Sequence, residues 1–331
     1  MSKSQDLIPP TPLLDLDEFA KRCGVGRVLL KAENARALGN FKSLGGTRAV
    51  EEILSRAGWW ENGEARLLCA SDGNHGLAVA AAARRSGVRA RVYLPAGVER
   101  YRIERIEREK AEVVLVSGSY DTAVAAAKAA SRAGQGRLVA DTSDDADDQT
   151  VLAVMGGYLV IAEEIAKQLA GGNLPRPTQM FIQAGVGGFA AAMARGLRAN
   201  RANGARVIIV EPERAACVGA ALAAGHVVQM GGDLRTSAQM LSCGRASAPA
   251  LSVLREVSAQ SLLVSEDELI AAPEVLKQVG LATTPSGAAG LAGLLKASAD
   301  PELRHFFGLD EEATVLIFAT EAAAGREGPC N

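Results

Sequence analysis

A lysine set in Gly39-Asn40-Phe41-Lys42-Ser43-Leu44-Gly45-Gly46-Thr47, beside a predicted helix start, is the first group in the chain able to do covalent chemistry. Apolar, glycine-rich surroundings lower an amine's pKa and make it a nucleophile for Schiff-base formation. Taken alone, a solvated surface lysine is the commoner meaning of such a pattern. A second segment, Ser71-Asp72-Gly73-Asn74-His75-Gly76, leaves a predicted strand and opens a helix. Free N–H groups at such a start suit a carboxylate or phosphate, and glycines allow close approach. Plain N-capping by Asp72 and Asn74 would explain the same residues without a ligand. The third segment, Gly185-Val186-Gly187-Gly188-Phe189-Ala190, again joins a strand to a helix and has the form of a phosphate-binding turn.

Gly185, Gly187 and Ala190 also satisfy G-x-G-x-x-A, and Glu211 ends the next predicted strand, so a nicotinamide-dinucleotide fingerprint is nearly complete. Glu211 lies somewhat beyond the ~20 residues expected for the ribose partner. An NAD-dependent oxidoreductase would also leave the lysine segment and the 71–76 loop without a role. One small cofactor bearing an aldehyde and a phosphate uses all three segments.

Short β-branched runs alternate along the chain with helical patterns, which predicts parallel strands joined by crossover helices. The predicted strands are 27–31, 66–70, 90–94, 112–116, 137–140, 179–184, 206–210 and 314–319, with helices at 75–86, 100–109, 120–133, 152–169 and 189–200. The class is α/β, and two sheets are expected. The Gly- and Pro-bearing stretch 169–177 closes one helix and delivers the chain to a strand. The acidic run 141–148 predicts either a solvated loop with N-capping aspartates or the lining of a site mouth.

Composition narrows the partners. The 331 residues suffice for one large or two medium domains, and 48% hydrophobic with only 4% aromatic content suits helices packed closely on sheets. With 36 Lys plus Arg against 38 Asp plus Glu, no overall field draws the chain to nucleic acid or an anionic membrane, so a small-molecule partner is expected. The cysteines at 23, 69, 217, 243 and 330 are scattered and form no C-x-x-C pair, which argues against a disulfide framework or a metal site. The start of the chain lacks a secretory pattern and the apolar runs fall short of a membrane span, so a soluble, cytoplasmic protein is expected.

In order, the lysine segment, the S-D-G-N-H-G loop, the glycine turn and the terminal strand resemble the fold-type-II pyridoxal-phosphate (PLP) enzymes, the tryptophan-synthase-β superfamily, over nearly the whole chain. Within it, Thr11-Pro12-Leu13, Asn40-Phe41-Lys42, Asp72-Gly73-Asn74-His75-Gly76, Gln183-Ala184-Gly185-Val186-Gly187, Val210-Glu211-Pro212, Cys243-Gly244, Ser286-Gly287-Ala288 and Thr320-Glu321 are most similar to the diaminopropionate ammonia-lyases. The acid at 72 is the specific feature, because serine and threonine dehydratases usually carry a serine there.

The resemblance implies that Lys42, beside Phe41, carries PLP and takes the Cα proton from one face. It implies Asn74 at the cofactor's ring oxygen, and Gly185, Val186, Gly187 and Gly188 at the phosphate. Ser71, Gly73, Asn74, His75 and Asp141 would meet the substrate, and Asp72 would act on the opposite face, as base toward a D-enantiomer or acid toward a leaving amine. The terminal strand reads Phe318-Ala319-Thr320-Glu321, with alanine where the superfamily often has serine, so Thr320 is expected at the ring nitrogen. The implied reaction is β-elimination from a β-substituted amino acid, with 2,3-diaminopropionate giving pyruvate and ammonia. Serine, threonine or hydroxyaspartate dehydration and β-replacement share its first steps. No metal is implied. The expected architecture is a large PLP-binding domain of 1–65 and 146–331, a small mobile domain of 66–145, each a mainly parallel sheet flanked by helices, and a homodimer. Residues 144–148 depart from the aromatic, glycine-containing stretch of those ammonia-lyases.

Overall fold

In the computed structural model, residues 9–56, 66–198 and 204–323 are described. Cys330 and the end of the predicted 189–200 helix lie outside them. Ten strands run β1 Leu13–Asp15, β2 Arg27–Lys31, β3 Arg66–Ala70, β4 Arg89–Pro95, β5 Glu112–Val116, β6 Arg137–Leu138, β7 Gln179–Gln183, β8 Arg206–Pro212, β9 Gln260–Val264 and β10 Thr314–Phe318. They form a six-stranded sheet ordered β1-β2-β10-β7-β8-β9 and a four-stranded sheet ordered β5-β4-β3-β6. Every pair is parallel except β1 with β2. The α/β class and the two sheets stand as expected. β6 is shorter than its predicted span, although Val139 N–H still donates to the Leu68 carbonyl beyond it.

Strands β2, β7, β8 and β10 are almost wholly buried, as parallel strands covered on both faces must be, and this is why they read as unbroken apolar runs. Because β10 sits between β2 and β7, the last part of the chain arrives beside the lysine segment that follows β2 and the glycine turn that follows β7. Topology, not sequence proximity, makes the site.

The Gln149–Gly171 helix packs against both the Lys42–Ser55 and the Gly188–Arg198 helices. Gly45 permits the first contact, since a side chain there would run into the Tyr158 ring. This helix corrects the expectation that every apolar run is too short to span a membrane: it has 23 residues, and an 18-residue window within it has a mean hydropathy of 1.3. Its Val151, Val154, Ile161 and Ile165 are nonetheless buried in the core.

A buried ion network ties the same helix to the segment leading to Lys42. Arg36 donates to Glu33 Oε1 at 2.7 Å and to Glu164 Oε2 at 2.7 Å, while Lys31 donates to Glu164 Oε2 at 2.6 Å. The Arg36, Glu33 and Lys31 side chains have no solvent exposure and Glu164 has 10%. Removing one member of such a set strands the others in a poorly solvating interior. Arg36→Met is therefore expected to lower stability by about 3–5 kcal/mol in urea denaturation. A loss under ~1 kcal/mol would mean that the network is not structural.

Candidate active site

Lys42 begins its helix after a tight turn in which Leu38 and Gly39 have φ of 64° and 68°. Its backbone N–H donates to Asn40 Oδ1 at 3.1 Å, and the neighbouring Phe41 N–H donates to the Thr320 carbonyl at 3.3 Å. The lysine is thus anchored to the chain just beyond β10. Its ammonium donates to Asp141 Oδ2 at 2.5 Å, while Tyr120 OH donates to Asp141 Oδ1 at 2.8 Å. Burial alone would lower the lysine's pKa, but the Asp141 carboxylate outweighs it and holds the ammonium above the ordinary lysine range. Burial acts on Asp141 in the opposite sense and is outweighed by Lys42 and His75, so that carboxyl lies well below its usual range. The lowered lysine pKa expected from the sequence is reversed here, because apolar neighbours predict burial and not the distant acid.

The 71–76 loop leaves β3 and opens the Asn74–Arg85 helix. Ser71 Oγ accepts from Gly73 N–H at 2.8 Å and Gly76 N–H at 2.9 Å, and Gly73 has φ of 141°. Asp72 and Asn74 point elsewhere, so N-capping does not account for them. Asn74 Nδ2 donates to Glu321, whose other oxygen accepts from Thr284 Oγ1. Asp72 is half-buried and its carboxylate accepts no hydrogen bond from the described residues. Burial pushes it up to about 7, against the pull of Lys42 and Arg102. His75 is buried, with Nε2 2.8 Å from the Val139 carbonyl and Nδ1 without a partner among the described residues. An acceptor carbonyl at Nε2 puts the proton there, and burial keeps the ring neutral by lowering its pKa.

Beyond β7, Gly187 takes φ of 93° and the Gly188–Arg198 helix begins. The Gly185 carbonyl accepts from Cys217 Sγ at 3.2 Å and the Val186 carbonyl from Ser247 N–H at 2.9 Å. The turn's carbonyls are occupied, while the N–H groups of the helix's first turn have no acceptor within the helix. Lys42, Asp72, Asn74, Thr320 and residues 185–188 all line one cleft. Phe41 closes one wall, its ring 4.3 Å from Phe189 and 5.0 Å from Tyr158. Of the acidic run, Asp141 lines this cleft, Ser143 is buried, Asp148 caps the Gln149–Gly171 helix, and Asp144 pairs with Arg245 at 2.7 Å. Both expectations for that run therefore apply, to different residues.

Sequence reasoning did not single out Tyr120, Tyr158, Gln183, Met240 or Glu321 as site residues, yet all line the cleft. Gln183 and Glu321 stood within motifs that carried the resemblance; nothing local marked the tyrosines. Glu211 overturns the dinucleotide alternative. Its carboxylate is fully buried and accepts from the Val218 and Gly219 N–H groups at 2.7 Å each, so it caps the Cys217–Ala224 helix and is not open to a ribose.

The sequence pattern of the family described as "Pyridoxal-phosphate dependent enzyme" matches residues 5–320. The chain belongs to that family. Its cofactor is pyridoxal 5′-phosphate, and the donor set fits: a primary amine for the aldehyde, free N–H groups at a glycine turn for the phosphate, and hydroxyl and amide side chains between them. Among curated PLP enzymes, the chain is similar to the diaminopropionate ammonia-lyase of Salmonella typhimurium, 30% identical over 94% of this chain and 84% of that one. It is also similar to the human L-serine dehydratase/L-threonine deaminase, 29% identical over 83% and 78%. Among solved structures, Escherichia coli diaminopropionate ammonia-lyase in complex with an aminoacrylate-PLP azomethine reaction intermediate superposes with a TM-score of 0.88. It has 27% identity and covers 98% of this chain and 90% of that one. The fold is that of the fold-type-II PLP enzymes.

Proposed function

We propose that this PLP enzyme catalyses β-elimination from a β-substituted amino acid, and that 2,3-diaminopropionate, yielding pyruvate and ammonia, is the substrate its site fits best. The observation that carries this is Asp72: an acid whose carboxylate accepts no hydrogen bond among the described residues, with its pKa pushed up to about 7, in the same cleft as the Lys42–Asp141 pair. When bound, PLP supplies the electron sink that makes the substrate's Cα–H acidic. Lys42 provides the amine that carries the cofactor and, once freed from it, takes the Cα proton on one side. Asp141, held by Tyr120, keeps that amine oriented. Asp72 moves a proton on the other side, as base for the second enantiomer or as acid to the departing amine. The 185–188 turn holds the phosphate, and the start of the Asn74–Arg85 helix, with Ser71, Gly73 and His75, receives the substrate carboxylate. Thr320 would hold the cofactor's ring nitrogen and Asn74 its ring oxygen.

In this reading the large PLP-binding domain comprises 1–65 and 146–331, and the small domain, 66–145, closes on substrate to exclude water. The working form is a homodimer in the cytoplasm. Assay with D- and L-diaminopropionate, serine, threonine and hydroxyaspartate tests the substrate. Diaminopropionate must yield two ammonia for each pyruvate. Turnover of the hydroxy amino acids alone, with one ammonia per keto acid, would make the enzyme a dehydratase.

The glycine turn gives a second test. Gly187 needs its positive φ, and a side chain there would approach Val218 to 3.2 Å. Alanine in that conformation costs ~1–2 kcal/mol, which the turn relieves by re-aiming its N–H groups. Gly187→Ala is expected to weaken PLP binding about tenfold in absorbance titrations; an unchanged affinity would place the phosphate elsewhere.

A further inference from the structure

Gln183 ends β7 with its side chain buried, and its amide nitrogen lies close to four oxygens. These are the carbonyls of Gly287 at 2.8 Å, Ser286 at 3.2 Å and Phe318 at 3.3 Å, and Thr320 Oγ1 at 3.0 Å. Its carbonyl oxygen, Oε1, is buried without a partner among the described residues and faces Gly290, where a side chain would come within 2.9 Å of it. Turning the amide over would set Oε1 against three backbone carbonyls, acceptor against acceptor. The backbone therefore dictates that the NH2 end faces Thr320.

An amide N–H can only donate, so Thr320 Oγ1 is the acceptor of that bond and its own proton goes elsewhere. No acceptor for that proton stands among the described residues, and Thr320 lines the cleft. We infer that Gln183 is a positioning residue that fixes the direction of the Thr320 hydroxyl, making it donate into the cleft and hold the PLP ring nitrogen as an unprotonated acceptor. This rests on the placement of Thr320 at the ring nitrogen proposed above. A neutral ring withdraws less electron density than a pyridinium, which favours departure of the β-substituent over return of a proton to the cofactor.

The test is the ¹⁵N resonance of ring-labelled PLP bound to the full-length enzyme, followed through the neutral pH range. The parent is expected to show a neutral pyridine nitrogen with no titration; a pyridinium signal in the parent overturns the inference without any variant. Gln183→Met keeps the side-chain length but removes the donor, so the Thr320 hydroxyl is released to accept. Its ring nitrogen is then expected to titrate toward the pyridinium position as pH falls, and a signal identical to the parent's overturns the inference. Thr320→Val separates the two levels. If it leaves the resonance unmoved, Thr320 does not meet the ring and the placement fails; if it moves the resonance and Gln183→Met does not, only the role of Gln183 fails. Melting curves confirm folding of each variant. Should Gln183→Met not fold, Gln183→Leu, which also lacks the donor, is read in the same titration with the same two outcomes.

Discussion

Lys42→Ala is expected to leave a folded protein that loses PLP on dialysis and turns over roughly 10³-fold more slowly or worse. Both effects follow from one amine. It forms the bond to the cofactor's aldehyde and is the proposed acceptor of the Cα proton, and a positioned general base contributes about 10²–10⁴ by itself. The fold should survive, because Lys42 stands at the first position of its helix and its side chain is 23% exposed. Asp141 loses its cation but keeps the Tyr120 hydroxyl, so its carboxyl pKa should rise. The checks are the absorbance spectrum after dialysis, circular dichroism and pyruvate release. A variant within tenfold of the parent would remove Lys42 from the chemistry.

Asp72→Asn is expected to slow one enantiomer of the substrate by about 10²–10³ and the other by less than about tenfold. Asparagine keeps the shape of the loop and abolishes proton transfer, so the variant isolates chemistry from packing. The pH profile sharpens the test. With the Asp72 carboxyl pushed up to about 7, kcat/KM for the enantiomer that needs the ionised acid should rise as pH increases through about 7. That limb should vanish in the variant. Stability runs the other way. The folded protein binds this proton more tightly than an unfolded aspartate with an ordinary value of 3.8, so Asp72 contributes stability below that value that is lost as pH rises through about 7. Above pH 7, Asp72→Asn should therefore be neutral or stabilising, which distinguishes it from a merely damaged fold. Equal losses on both enantiomers would remove the two-sided proton transfer.

The parallel strands were legible where period and composition agree: 27–31 and 66–70 match the buried β2 and β3 residue for residue, and the β-branched run 112–116 matches β5 at the edge of its sheet. Strand β1 is three residues long and antiparallel to β2, too short for any periodic signal. Strand β9 lies at the sheet edge with Ser261 and Leu263 exposed, so it lacks the continuous apolar run of its neighbours. The site divides in the same way. Lys42, the 71–76 loop and the 185–188 turn each carry a local signature of glycine, polar group and helix start. Tyr120 does not, because its role comes from a contact with Asp141 across the four-stranded sheet's loops. The direction of the lysine's pKa was missed for that same reason. Burial can be read from apolar neighbours, but the carboxylate 2.5 Å from the amine is 99 positions away along the chain.

Borohydride reduction of the PLP-loaded enzyme, followed by peptide mass mapping, tests the central claim most directly. Reduction locks the cofactor onto whichever amine carries it. The expected result is one phosphopyridoxyl group, on the peptide bearing Lys42. A label on another lysine, or a loaded enzyme that takes no label, would contradict the assignment of the site.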